Sequence, residues 1–415
     1  MKIALLGYGK EGQAAEKYFK THENAEFDIL QDFTNEEIEN KDFSNYDLVL
    51  RSPSVHPLHL KNESSLTRYF FDHCPCPIIG VTATKGKGTT CSFIKSLLDA
   101  FNKETFLVGN IGTPAIESLD NLKKDSVVVY EMSSFQLWDL EKSPNIAVVG
   151  IIEPDHLNVH DGFDDYISAK ANICRHQSEN DYIIYYKDNP DSLKIVSESP
   201  AKNRIEYPFE LDGEIKNAIR IPGEHNINNA MAAIAAVYGF YQRFTNDKCT
   251  LAHFIEKHRF AIINGLNNFT GLPHRLEFIR ELSGIKYYDD NFSTNIGSTR
   301  VAINAFPKEN VITIIGGRDK TGNEDLPEIY ETLSTENVKK IVLMGESGHE
   351  LYNRFKDKRF ILVESLKDAV DTATAEAKKF DRAIVLMSPS AASFDMFKNV
   401  YDRGEQYQKL IKDLK

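Results

Sequence analysis

The run Gly80-Val-Thr-Ala-Thr-Lys-Gly-Lys-Gly-Thr-Thr90 combines glycines, lysines and hydroxyls at a spacing that suits a phosphate ligand. Glycines let backbone N–H groups converge on phosphate oxygens, a following helix offers its positive end, and a lysine reaches the transferred phosphate. The run lies between a predicted strand, Pro77–Gly80, and a predicted helix that starts near Cys91. Lys87 is the candidate phosphate-reaching lysine, and Thr89 or Thr90 would hold Mg²⁺. Ala83 stands where a glycine is often found, and Gly88 separates Lys87 from the hydroxyls, so the plain Walker pattern is not matched. A flexible surface loop is the alternative reading.

Other polar groups follow apolar runs. Glu131 ends the run Val127–Tyr130, which places a carboxylate at the carboxyl end of a strand, where open parallel sheets bind ligands and where Mg²⁺ finds the oxygen it prefers. A helix-capping acid is the plain alternative. Pro154-Asp-His-Leu157 follows Val148–Ile152 in the same way, and His156 is a candidate metal ligand. Gly7-Tyr-Gly-Lys-Glu-Gly12 follows a strand and opens a helix. That turn fits a dinucleotide, with Asp28 or Asp32 as the ribose acid, or the diphosphate of a UDP-sugar, or a purely structural turn. Asn226 and Asn229 share one face of an alanine-rich helix, where two amides could read an adenine edge or one could cap the helix. Arg275 follows the hinge-like break Gly271-Leu-Pro273, so closure of a domain could carry its guanidinium to phosphates; a surface ion pair is the alternative.

These residues need parallel sheets to hold them. The 415 residues exceed what one core usually organises, and three α/β domains are expected. Residues 1–77 alternate short apolar strands (Ile3–Leu6, Leu48–Leu50) with amphipathic stretches and close on Cys74-Pro-Cys-Pro77, a linker by composition. Residues 78–271 continue the strand–helix alternation through Val127–Glu131 and Ile146–Ile152 to the helix Asn226–Phe240, as a central phosphate-loop domain. Residues 272–415 carry three strongly apolar strands, Val311–Ile315, Lys340–Met344 and Ala383–Met387, as a second doubly wound, Rossmann-like domain. Residues 187–220 read as polar and irregular. The net charge of −12 argues against extended binding to nucleic-acid backbones, and no apolar run approaches the roughly 20 residues of a membrane span. Five cysteines without regular spacing and no visible signal peptide point to the reducing cytoplasm.

Taken in order, the motifs resemble the Mur ligase family. The resemblance covers the amino-terminal glycine turn, the Thr-Lys-Gly-Lys loop, Gly109-Asn-Ile-Gly112, Glu131-Met-Ser-Ser-Phe-Gln-Leu137, and Pro154-Asp-His-Leu157 with Tyr166-Ile-Ser-Ala-Lys170. It continues through Gly223-Glu-His-Asn-Ile-Asn-Asn229, Gly271-Leu-Pro-His-Arg275, Asp290-Asn-Phe-Ser-Thr-Asn295, Gly316-Gly-Arg-Asp-Lys320, and Ser388-Pro-Ser-Ala-Ala-Ser-Phe-Asp395 leading to Arg403-Gly404. The resemblance implies an ATP- and Mg²⁺-dependent amide-forming ligase of the glutamate-adding kind, acting on UDP-N-acetylmuramoyl-L-alanine as a monomer.

By that resemblance ATP is held by Thr84, Lys85, Gly86, Lys87, Gly88, Thr89, Thr90, Asn110, Asn226, Asn229, Arg275 and Asp290. The UDP substrate meets Gly7, Gly9, Gly12, Ser52, Ser133, Ser134 and Gln136, and the amino acid meets Thr294, Lys320 and Ser393. Lys87, Glu131, His156 and Lys170 carry the chemistry; Thr89, Glu131, His156 and a carbamylated Lys170 hold Mg²⁺. Three positions depart from the family: Phe292 replaces a lysine, Val400 an aromatic residue, and Glu11 a small hydroxyl residue of the first glycine turn. The competing readings are another Mur ligase specificity, a folylpolyglutamate synthase, which normally lacks the amino-terminal UDP domain, and an NAD-binding regulatory protein.

Overall fold

A computed structural model describes residues 1–31, 33–157, 159–246, 248–318 and 325–415. The chain gathers into two compact units, Met1–Ala218 with Ile227–Phe269, and Ile219–Asn226 with Thr270–Lys415.

The first unit holds two sheets. β1 (Lys2–Leu6), β2 (Glu26–Leu30), β3 (Leu48–Arg51) and β4 (Glu63–Ser65) form a parallel sheet in the order β2-β1-β3-β4. Side chains alternate across a strand. Ile3 and Leu5 therefore pack with Ala14, Ala15 and Phe19 on one face, and Ala4 and Leu6 with Ile38 and Phe43 on the other. The second sheet comprises β5 (Ile78–Thr82), β6 (Thr105–Gly109), β7 (Val127–Glu131), β8 (Ile146–Val149), β9 (Tyr182–Tyr186) and β10 (Asn203–Tyr207), all parallel, in the order β10-β9-β8-β5-β7-β6. After β5 the chain builds β6 and β7 to one side, then crosses to place β8 on the other. The loop after β5 thus lies at the topological switch point, where such sheets bind ligands. Buried Arg51, at the end of β3, ties the sheets together: its Nε donates to Glu63 Oε1 at 2.9 Å, and its far nitrogen pairs with Asp139 beyond the second sheet's β7.

The second unit carries β11 (Glu277–Leu282), β12 (Ile285–Asp289), β13 (Val311–Ile315), β14 (Val338–Leu343), β15 (Phe360–Leu362) and β16 (Ala383–Met387), in the order β11-β12-β16-β13-β14-β15. Only the edge pair β11–β12 is antiparallel. Val311, Ile315, Ile384 and Leu386 enter one core and Ile312, Ile314, Val385 and Met387 another, the burial on both faces that parallel strands require.

Three sequence readings change. The helix after the phosphate loop starts at Lys87 rather than near Cys91, because its polar first turn shows no apolar periodicity. The stretch 187–220 is ordered: helix Pro190–Ser197, strand β10 and helix Gly213–Asn217 occupy it. Asn189 caps the first of these with Pro190 at its opening position, a signal present in the sequence. The carboxyl-terminal sheet has three strands beyond those read, β11, β12 and β15, each shorter or more polar than its neighbours. Among the described residues no helix is long and apolar enough to cross a membrane.

Candidate active site

Gly86 shapes the phosphate loop. It is the N-cap of helix Lys87–Ala100 with φ of 83°, a left-handed conformation that costs any other L-residue. A Cβ there would stand 2.8 Å from Asn229 Oδ1, so the loop and the helix Glu224–Phe244 meet at a point only glycine fits. Thr90 Oγ1 donates to the same Asn229 oxygen at 3.3 Å. Lys87 Nζ donates to the carbonyls of Ala83 (2.9 Å) and Thr84 (3.1 Å), which folds its amine back over the loop. Thr84 Oγ1 donates to Glu153 O at 2.9 Å, accepts from Glu153 N at 2.8 Å and lies 3.0 Å from the Tyr166 hydroxyl. Lys85 makes an exposed pair with Glu153, 3.4 Å apart, while Gly88 and the metal candidate Thr89 sit partly buried in the helix's first turn.

Charge collects beside this loop. Lys170 is 1% exposed, and its Nζ donates to Thr82 Oγ1 at 3.0 Å and Ala83 O at 3.1 Å. Burial first, and the positive charge of Lys87 second, push this amine well below the ordinary lysine range, against the pull of Asp155 and Glu131. Glu131, buried at the end of β7, also helps burial raise the Cys91 thiol. Lys87, Glu131, Asp155 and Lys170 therefore share one electrostatic neighbourhood at the carboxyl ends of β5, β7 and β8. His156 is exposed, with φ of 55°, its ring 5.0 Å from that of Phe135 and its Nε2 3.6 Å from Asp155 Oδ2. Asn110 is exposed in the loop after β6. The Glu131 carboxylate at the end of β7 offers the oxygen donor that Mg²⁺ prefers and supplies buried charge.

The glycine turn after β1 is tight. Gly7 has φ of 84°, and a Cβ on it would run into the Ser52 hydroxyl; one on Gly12 would strike Gly7 O, whereas Gly9, the N-cap of helix Lys10–His22, meets nothing within 4 Å. Gly7, Gly12 and Ser52 are thus brought together. Gln136 Nε2 reaches this turn by donating to Glu11 Oε1 at 3.0 Å. Ser133 caps the helix Ser134–Leu137 in a reciprocal box with Gln136, and Ser134 Oγ lies 2.9 Å from His160 Nε2, whose Nδ1 is 2.7 Å from Asp165.

In the second unit Asp290 is buried. It accepts from Leu276 N (3.0 Å), Ser388 Oγ (2.7 Å) and Ser293 Oγ, yet burial outweighs these bonds and lifts its carboxyl to about 7. Arg275 is exposed, its guanidinium 5.6 Å from the Phe292 ring, and Phe292 packs on Tyr401 at 5.2 Å. Ser393 is 1% exposed and its hydroxyl has no hydrogen-bond partner among the described residues; Thr294 is partly buried. Asn226 donates through Nδ2 to Pro222 O at 2.6 Å. Lys320 lies outside the described residues, as does Asp32. The sequence reading missed Asp155 and Tyr166. Both sat inside quoted motifs, and Tyr166 is one helical turn before Lys170, its ring 4.8 Å from the amine.

Comparison with known proteins follows the same layout. Residues 81–212 match the Mur ligase middle domain and residues 274–391 the Mur ligase glutamate ligase domain. The chain belongs to the Mur ligase family, ATP-dependent enzymes that form amide bonds. Its relatives include the UDP-N-acetylmuramoylalanine–D-glutamate ligases of Clostridium acetobutylicum, 32% identical over 95% of this chain and 90% of that protein, and of Acetivibrio thermocellus, 32% identical over 89% and 83%. Solved structures with the same fold include MurC of Thermotoga maritima (TM-score 0.60, 16% identity, 100% of both chains) and MurF of Thermotoga maritima in complex with ADP (TM-score 0.59, 16% identity, 89% and 90%).

Proposed function

We propose that this protein joins D-glutamate to UDP-N-acetylmuramoyl-L-alanine at the expense of ATP, in the assembly of peptidoglycan precursors. The observation that carries the reading is the neighbourhood of Lys87, Glu131, Asp155 and Lys170 at the switch point of the second sheet. The relatives' common name supplies the choice of substrates. A carboxylate oxygen of the UDP-linked alanine attacks the γ-phosphorus and ADP departs, leaving an acyl phosphate. The amine of glutamate then attacks the acyl carbon, the tetrahedral intermediate expels inorganic phosphate, and the amine's proton passes to solvent. Lys87, from the phosphate loop, offsets charge that builds on the phosphoryl oxygens. Asn229, close against Gly86, would contribute to nucleotide binding beside the loop.

Thr89, Glu131, His156 and carbamylated Lys170 would hold Mg²⁺, which supplies further charge compensation to the triphosphate. Gly7, Gly9, Gly12, Ser52, Ser133, Ser134 and Gln136 would hold the UDP substrate, with the glycine turn meeting its diphosphate, and Thr294, Lys320 and Ser393 the incoming glutamate. The setting is the cytoplasm, with the chain acting as a monomer. Phosphate release should be measured with UDP-N-acetylmuramoyl-L-alanine, ATP and each of D-glutamate, L-glutamate, alanine and lysine. D-Glutamate should give the largest kcat/KM. Preference for L-glutamate would replace the stereochemical part of the reading, and preference for an uncharged or basic amino acid would overturn the glutamate assignment.

A further inference from the structure

Glu11 is an acid in a place that should repel its ligand. It lies in the first turn of helix Lys10–His22, one residue before Gly12, in the turn whose glycines and Ser52 close on one another. First-turn N–H groups and the helix's positive end suit a diphosphate, and a carboxylate among them would compete with it. The Glu11 side chain does not turn away to solvent. Its Oε1 is anchored by Gln136 Nε2 at 3.0 Å, from the helix Ser134–Leu137 on the other sheet of the same unit. Among the described residues that is the one hydrogen bond the Glu11 carboxyl makes, so its second oxygen is not committed to a protein donor.

We propose that Glu11 enters the substrate complex as a neutral carboxyl that donates its proton to a diphosphate oxygen, so that capture of the UDP-sugar takes up one proton from solvent. The inference rests on the assignment of the glycine turn to the UDP substrate and goes beyond it by giving this chain's own departure a task. In the free protein, burial lifts the Glu11 carboxyl to about 7 against the opposing bond from Gln136, so the neutral form is already accessible. The groups that face it are the Gln136 amide and the Tyr130 phenol of β7, whose proton the Glu11 charge helps to retain. Helix Ala115–Ser118, packed on the same helix, carries only the exposed Glu117, and β1 only Lys2 at its far end. Lys10 and Glu16 are the nearest charges on its own helix, and Glu16 is engaged by Lys20 and Tyr8. A bound diphosphate would raise the carboxyl further, because a neighbouring negative charge disfavours the ionised form.

The test is calorimetric titration of the intact protein with UDP-N-acetylmuramoyl-L-alanine between pH 6 and 8.5, in buffers of differing ionisation enthalpy. A UDP-sugar's diphosphate carries no group that titrates in this window, so proton uptake reports on the protein. Uptake should approach one proton per site above pH 7, and affinity should fall about tenfold for each further pH unit. Glu11→Gln, which preserves both the acceptor for Gln136 and a donor towards the ligand, should give a flat profile and lose the uptake. Its melting curve checks that it folds. Wild type and Glu11→Gln binding with the same pH dependence and the same proton uptake would overturn the inference while leaving the substrate assignment standing. No binding of the UDP-sugar by folded wild type at any pH would overturn the assignment and the inference together.

Discussion

Lys87 lies partly buried at the opening of its helix and Lys170 almost wholly buried behind the loop, so truncating each probes different physics. Lys87→Ala removes the cation proposed to act on developing charge, whose Nζ donates to the loop carbonyls of Ala83 and Thr84. Its kcat should fall by about 10²–10³-fold with little change in melting temperature. Near-normal turnover in the folded variant would remove Lys87 from the mechanism. Lys170 has lost the solvent that stabilises an ammonium, and a neutral amine adds to CO₂: a nitrogen–carbon bond forms and one proton leaves. Intact-protein mass spectrometry in bicarbonate should therefore show the mass of one added CO₂, absent from Lys170→Ala. That variant should be inactive and partly restored by short carboxylic acids, which return oxygen ligands. Full activity of Lys170→Ala without additive would refute the carbamate.

Among the elements, the loop between β5 and helix Lys87–Ala100 depends on one residue's backbone. Gly86→Ala puts an L-side chain where the left-handed conformation costs about 1–2 kcal/mol, and its Cβ presses on Asn229. The KM for ATP should rise at least about tenfold while that for the UDP substrate holds, because a distorted loop loses uniform nucleotide binding. An unchanged KM for ATP would separate the Gly86–Asn229 contact from nucleotide recognition. How much of these elements the sequence made legible depended on burial. β7, β13 and β16 were read to the residue, since strands buried on both faces are unbroken apolar runs. The polar opening of the phosphate-loop helix and the strand β10, with exposed Arg204 and Glu206, have no such signature. The site motifs were legible as types, yet the pairing of Glu11 with Gln136 joins residues far apart in sequence and only the fold reveals it.

At the scale of the whole molecule, two compact units with separate hydrophobic cores should not melt as one. Scanning calorimetry of the ligand-free protein should resolve two transitions, and their pH dependence can be assigned. Asp290 belongs to the second unit and Glu11 to the first, and burial lifts both carboxyls to about 7 from an unfolded value near 4. A carboxyl that binds its proton more tightly in the fold contributes stability that is complete below the unfolded value and lost as pH rises towards the folded one. Both transitions should therefore lose this contribution between about pH 4 and pH 7 and level off above. Asp290→Asn should flatten that slope in one transition, and Glu11→Gln in the other. Parallel movement of both transitions in either variant would show that the units unfold cooperatively. A slope unchanged by Asp290→Asn would mean that the three bonds to Asp290, rather than its burial, decide its proton.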